Sequence, residues 1–240
     1  MHLQACLNGA RRPDEHPALP VTPAALARDA AKARAAGAAS VHLHVKDVDG
    51  SDTLAPGPLA VVLDAIRREA PGVPVGVTTG AWAVPDADER FRVVRSWAVL
   101  PDFASVNWHE EGAERLAGAL LEAGVAVEAG LWDEDAVGRW AASPLRERCL
   151  RVLLELPDAP YDRDVAERML HRVSGAPAVL LHGEGESAWP ALQHAAALGL
   201  AARIGLEDVL HLPDGRRAPD NASLVRTGRL LQAMRGRPVG

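Results

Sequence analysis

His42 and His44 lie two residues apart in the run Ser40-Val41-His42-Leu43-His44-Val45. On an extended strand that spacing turns both imidazoles to one face. Two imidazoles projecting together at a strand's end hold a divalent ion when a carboxylate from another strand adds a third ligand and a fourth position stays open for substrate. Asp47, Asp49 and Gly50 follow at once and place the end of the strand near His44. The spacing alone also fits one core histidine and one loop histidine. A second concentration of charge, Arg203-Ile204-Gly205-Leu206-Glu207-Asp208, stands where a buried strand would carry Val, Ile or Leu. Unpaired buried carboxylates are expensive, so Arg203, Glu207 and Asp208 need one another or a metal. In the functional reading Glu207 is the third ligand and Asp208 a base whose pKa is set by Arg203. In the plainer reading the segment is an exposed loop and Asp208 caps a helix. Glu128, inside the apolar run 125–132, is the other inward charge and is a candidate to orient that arginine.

The elements that must position these groups follow from periodicity. Short apolar runs, at 3–8, 40–45, 74–79, 103–107, 125–130, 150–155, 178–182 and 202–206, alternate with stretches of helical period at 23–36, 56–70, 86–98, 111–123, 133–142, 162–173, 187–198 and 221–235. Thr22-Pro23, Pro56, Asp86, Ser187 and Asp220 suit helix starts, and Gly37, Gly72, Gly124 and Gly199 suit helix ends. Eight βα units of about 30 residues predict an α/β protein of the (β/α)8 TIM barrel type, one catalytic domain over residues 1–240. A doubly wound open sheet would want GxGxxG after the first strand, and Leu7-Asn8-Gly9-Ala10-Arg11-Arg12 has one glycine. In a barrel the reactive groups gather at the carboxyl ends of the strands. That shortlist is Asn8, Arg11, His42, His44, Thr78, Thr79, Ser105, Asn107, Glu128, Glu155, His182, Glu184, Arg203, Glu207 and Asp208. The arginine-bearing tail after Met234 is expected to fray.

Composition limits the partners. The 240 residues are 48% hydrophobic and 24% charged, enough for one sizeable core and unlike a disordered or collagenous chain. With 26 basic and 32 acidic side chains the formal charge is -6, which disfavours a nucleic acid partner. No run approaches the roughly 18 apolar residues of a membrane span, and the first residues lack the order of a signal peptide, so a cytoplasmic protein is expected. Cys6 and Cys149 are the only cysteines and form no CxxC, which speaks against a disulfide framework or a thiolate zinc site.

Several stretches together resemble the β-keto acid cleavage enzyme family nearly end to end. They are CLNGA (6–10) followed by HPALPVTP (16–23), HLHVKD (42–47), VGVTTGAW (75–82), PDFASVNWHEEG (101–112), VAVEAGLW (125–132), LLHGEGESAW (180–189) and RIGLEDVLHLPDG (203–215). The resemblance implies a zinc-dependent (β/α)8 barrel, with another divalent metal as the alternative, in which His42, His44 and Glu207 bind the metal. It implies Asp208 as the base, supported by Arg203 and Glu128, with Thr79 and Ser105 holding substrate or the acyl thioester. The implied reaction is a reversible Claisen-type exchange: a β-keto acid and acetyl-CoA give acetoacetate and a new acyl-CoA. Asn8 joins the substrate-binding candidates, and groups near Thr79, Ser105 and Asn107 are candidates to stabilise the oxyanion. The family also implies a homo-oligomer, often a tetramer. One departure concerns specificity. A family member that cleaves an amino-bearing acid has a glutamate after NGA where this chain has Arg11, followed by Arg12. Arginine there, Arg11 or Arg12, is expected to disfavour ammonium and favour neutral or anionic acids if it meets the substrate; the alternative is that Arg11 faces solvent or binds a CoA phosphate. Glu184 and Glu186 either shape the pocket or cap the next helix. A metal-dependent aldolase or hydrolase acting without CoA, or a non-catalytic ligand-binding barrel, are the alternatives, since a barrel does not fix its chemistry.

Overall fold

The computed structural model describes residues 1–235. Eight strands alternate with eight α-helices: β1 Leu3–Cys6, α1 Pro23–Ala35, β2 Ser40–Leu43, α2 Pro56–Glu69, β3 Val75–Thr78, α3 Ala87–Arg95, β4 Phe103–Asn107 and α4 Ala113–Glu122, then β5 Ala126–Leu131, α5 Glu134–Ala142, β6 Arg151–Leu156, α6 Arg163–Arg172, β7 Val179–Gly183, α7 Ala188–Leu198, β8 Ala202–Ile204 and α8 Asn221–Arg235. All neighbouring strands are parallel, in the order β7-β6-β5-β4-β3-β2-β1-β8. A parallel bridge between Leu180 and Ala201 brings β8 back to β7, so the sheet nearly closes on itself. This is the (β/α)8 barrel expected from the sequence.

Strand alternation divides the residues into two sets. Leu3, Ala5, Val41, Leu43, Val75, Val77, Ala104, Val106, Val152, Leu154 and Ile204 belong to the apolar core between sheet and helices. The alternating residues, among them Gln4, His42, Ser105, Glu128, Arg151, His182 and Arg203, are buried and polar. A polar barrel interior must satisfy its own charges, and that requirement shapes the site.

Helix starts follow local chemistry. Thr22, Asp86 and Asp220 accept from backbone N–H groups of the first turn, as do Asp133 and Asp162, which the helix-start reading did not include. Pro56 opens α2 after Ala55, without a side-chain cap. Ser187 does not cap α7; its hydroxyl instead faces the carbonyls of Leu156, Pro157 and Glu184. Gly37, Gly72, Gly124 and Gly199 all take positive φ after their helices. The strands β1, β2 and β8 end about two residues earlier than their apolar runs, because the strands separate at the barrel mouth and side chains take over the hydrogen bonding. Cys6 and Cys149 are buried and unbridged. No helix among the described residues is long and apolar enough to cross a membrane. The expected fraying after Met234 falls mostly on 236–240, outside the described residues.

Candidate metal centre and its cavity

The carboxyl ends of β2 and β8 meet across β1. Asn8, just past β1, donates from Nδ2 to the His44 carbonyl at 2.8 Å and accepts from the His44 N–H at 2.9 Å, extending the β1–β2 pairing beyond the last strand residues. Two glycines permit the close approach. Gly9 has φ +55, and a Cβ there would lie 2.4 Å from Glu207 Cγ. At Gly205 a Cβ would lie 1.8 Å from the Cys6 carbonyl oxygen. Asn221, buried at the start of α8, accepts from the Leu206 N–H at 2.7 Å and donates to the Leu7 carbonyl at 2.8 Å, tying the ends of β1 and β8 together directly beside Glu207. Asp29 of α1 accepts from the same amide at 2.6 Å.

This frame brings together His42, His44 and Glu207, each offering a ligand atom within 4.8 Å of the others. Glu207 Oε1 lies 3.6 Å from His44 Nε2 and 3.9 Å from His42 Nε2. Tetrahedral zinc with bonds near 2.0–2.1 Å wants donors about 3.3 Å apart, so both glutamate–histidine separations lie within about 0.6 Å of that spacing. Burial pushes the His42 imidazole down to about 4, leaving it the free base that a ligand must be. Glu207 is held well below the carboxylate range: burial opposes its charge, and Arg203 and the histidines outweigh burial. Its Oε2 is buried without a partner. Tautomer selection is also built in, because His44 Nδ1 faces Asp52 Oδ2 at 2.7 Å, leaving Nε2 for the metal side. Burial opposes a proton on His44, but Glu207 and Asp52 together push it up to about 9 when no cation is bound. The residues therefore fit a divalent ion.

The three ligands line a cavity of about 230 Å3 that also touches Ala10, Thr78, Ser105, Asn107, Trp82, Trp132, Glu155, Glu184 and Arg203. Asp208 is fully enclosed and does not line it. Arg203 Nη2 lies 2.9 Å from Asp208 Oδ1 and 2.9 Å from Glu207 Oε1, while Asp208 Oδ2 has no partner. Burial pushes Asp208 up to about 6 against the pull of Arg203. Beside it His182 is buried with neither ring nitrogen hydrogen-bonded, and burial pushes it down to about 3.

The other sequence candidates divide between the cavity and its surroundings. Glu128 accepts from Gln4 Nε2 at 2.9 Å and Arg151 Nε at 2.5 Å, and no hydrogen bond joins it to Arg203. It sits in the barrel interior on β5, opposite Arg151 in the β5–β6 register. Thr79 donates to the Ser105 carbonyl at 2.7 Å and lies behind the cavity wall that Thr78 forms. Asn107 lines the cavity and donates to Glu110 at 2.9 Å. Arg11 points away from the cavity: Nε donates to the Leu206 carbonyl at 2.6 Å and Nη1 pairs with Glu15 at 2.9 Å. It lines a neighbouring groove of about 800 Å3 together with Gly185, Trp189 and His211. Arg12 is exposed and lies 3.6 Å from Asp14. Glu184 lines the cavity and does not cap the following turn, whereas Glu186 faces the groove.

Sequence reasoning missed Asp52, Trp82, Asn221 and the Gln4–Glu128–Arg151 group. The turn residues Asp47, Asp49 and Gly50 carried a signal for Asp52, since a turn there returns the chain antiparallel, and Lys46 and Asp52 do form an antiparallel bridge. Only alternation within β1 hinted at Gln4.

A His2Glu donor set facing a small cavity at the carboxyl ends of the strands makes this a (β/α)8 barrel with a candidate metal site, at the face where such barrels carry their active sites. The chain matches the beta-keto acid cleavage enzyme family over residues 1–240 and belongs to that family. It is 27% identical to the 3-oxoadipate:acetyl-CoA acetyltransferase of Cupriavidus necator, over 95% of this chain and 86% of that protein. It is 26% identical to the 3-keto-5-aminohexanoate cleavage enzyme of Fusobacterium nucleatum, over 99% of this chain and 93% of that protein. Among solved structures, the ternary complex of ObcA with a C4-CoA adduct and oxalate superposes with a TM-score of 0.74 at 17% identity; 92% of this chain matches 65% of ObcA, so the chain spans under two thirds of ObcA's length.

Proposed function

We propose that this protein catalyses acyl exchange between a β-keto acid and acetyl-CoA, yielding acetoacetate and a new acyl-CoA. The observation that carries the reading is the convergence of His42, His44 and Glu207 at the mouth of a barrel whose family members include acetyl-CoA-dependent enzymes. A divalent cation held by these three residues, zinc in the first instance, would supply Lewis acidity toward the keto and carboxylate oxygens of the acid.

The chain's own groups do the rest. Asp208 is the base of this reading: its Oδ2 is free of partners while Arg203 holds Oδ1, and a side-chain rotation that brings the enclosed carboxylate to the cavity lets it take the proton from the carbon between ketone and carboxylate. The resulting carbanion attacks the thioester carbonyl of acetyl-CoA, and the oxyanion formed there is met by donors near Ser105 and Asn107. CoA thiolate leaves and adds to the original keto carbon. The carbon–carbon bond then breaks, releasing the new acyl-CoA, and acetoacetate recovers the proton from Asp208. Glu128 keeps the barrel interior beneath this site in order through Gln4 and Arg151. In this reading Arg11 meets the nucleotide end of the acyl donor in the adjoining groove, since cavity and groove adjoin at Ala10/Arg11 and Glu184/Gly185.

The test is incubation of purified protein with a set of β-keto acids, with and without acetyl-CoA, reading acyl-CoA by mass spectrometry. Acyl-CoA appearing only when both are present is the expected result; products without acetyl-CoA would point to an aldolase or hydrolase. His42→Ala and His44→Ala proteins should lose bound metal after dialysis, and full retention would remove the metal assignment.

A further inference from the structure

Glu155, at the end of β6, and Glu184, just past β7, face the cavity from adjacent strands. Glu155 is 7% exposed, and no protein N–H among the described residues hydrogen-bonds to its carboxylate. Its nearest basic atom is His182 Nε2 at 3.2 Å, outside hydrogen-bond geometry and on a ring that stays neutral. The two carboxyls share one cavity of about 230 Å3 and repel each other there. Arg203 is the lone arginine or lysine in the cavity lining, and it is committed to Glu207 and Asp208. Trp82 and Trp132, both partly exposed, also line the cavity. The metal ligands thus leave a second acidic wall that feels the Arg203 charge but has no arginine or lysine ion pair of its own among the described residues.

Resting on the acyl-exchange reading, we infer that Glu155 and Glu184 form the recognition site for the substrate's tail, and that the tail is an ammonium group, so the enzyme takes amino-bearing β-keto acids. Two carboxyls sharing one small cavity cannot both ionise cheaply, and burial followed by repulsion from Glu155 pushes Glu184 up to about 7. An ammonium replaces the shared proton, accepts no hydrogen bond itself, and donates to both carboxylates. A carboxylate tail would face the same wall with repulsion. The expectation drawn from Arg11 is thereby reversed, because Arg11 lies outside the cavity lining and is paired with Glu15.

The experiment compares kcat/KM for 3-oxohexanoate, 3-oxoadipate and 3-keto-5-aminohexanoate, each with acetyl-CoA, in the wild type, Glu184→Gln and Glu155→Gln/Glu184→Gln. The wild type should prefer the ammonium-bearing acid over both others by roughly tenfold or more, the scale of a hydrogen bond to a charged group. That ratio should collapse toward one in the variants. Preference for 3-oxoadipate or 3-oxohexanoate, or an unchanged ratio in folded variants, overturns the inference while exchange itself still stands. Calorimetric binding of the unreactive pair 5-aminohexanoate and hexanoate to metal-loaded wild-type protein tests the inference without turnover or mutation. Tighter binding of the amine supports it; equal or weaker binding overturns it. Absence of exchange with every acid would sink the acyl-exchange reading instead.

Discussion

Replacing Asp52 by Asn should weaken metal binding without touching a metal ligand. Asp52 Oδ2 accepts from Trp82 Nε1 at 2.8 Å and faces His44 Nδ1 at 2.7 Å, while Oδ1 pairs with Lys46 Nζ at 2.5 Å. An amide has one acceptor oxygen. If that oxygen serves His44 and Trp82, the amide NH2 confronts the Lys46 ammonium; if it serves Lys46, His44 loses the partner that sets its tautomer. Loss of such an outer-sphere carboxylate costs about 10- to 100-fold in metal affinity, or about 1.4–2.7 kcal/mol. The fold should suffer too, because Lys46 is buried and keeps only the Gly9 and Arg11 carbonyls. Removing one partner of a buried ion pair costs about 3–5 kcal/mol, and the two remaining carbonyls place this case near the lower figure. At about 2–4 °C per kcal/mol for a domain of this size, Tm should fall by about 6–12 °C. Zinc titration of metal-free protein against a chromophoric chelator, well below that Tm, measures the affinity. Lys46→Met/Asp52→Asn should recover part of the Tm and, because the amide oxygen is then free to accept from His44, part of the affinity. A zinc Kd for folded Asp52→Asn within twofold of wild type would refute the assignment of Asp52 as the support of His44.

Two further outcomes are expected. Asp208→Asn removes the proton acceptor while preserving shape, so turnover should fall by at least about a hundredfold with metal content retained; near-normal turnover would move the base to Glu184, which lines the cavity. Asp29, pushed by burial from 3.8 up to about 6, holds a proton in the folded chain that the unfolded chain releases between those values, so stability falls as pH rises through this window. That interval corresponds to about 3 kcal/mol at most. Asp29→Asn keeps an acceptor for Asn221 and should therefore raise Tm at pH 8 but not at pH 4, and an equal effect at both would refute it.

The barrel was legible in the chain because its two periods are local. Apolar runs of strand length and helical repeats with Thr22, Asp86 and Asp220 at their starts need no knowledge of neighbours. His42 and His44 could be paired for the same reason, since alternation along one strand fixes their shared face. The Arg203–Asp208 segment betrayed itself through charge in a strand position. What lay beyond reading depended on register and on the paths of loops. Glu128 meets Arg151 because β5 and β6 pair with those two residues opposite, a relation between strands that neither contains. Asp52 reaches His44 because the turn after β2 folds back, and Arg11 leaves the cavity because its guanidinium finds the Leu206 carbonyl and Glu15. The facing of Glu155 and Glu184 follows from the β6–β7 register, which pairs Glu155 with His182 and carries Glu184 to the rim. Sequence sets what each strand offers to a face, but barrel closure sets which offers meet, because the stagger between strands is a property of the closed sheet as a whole.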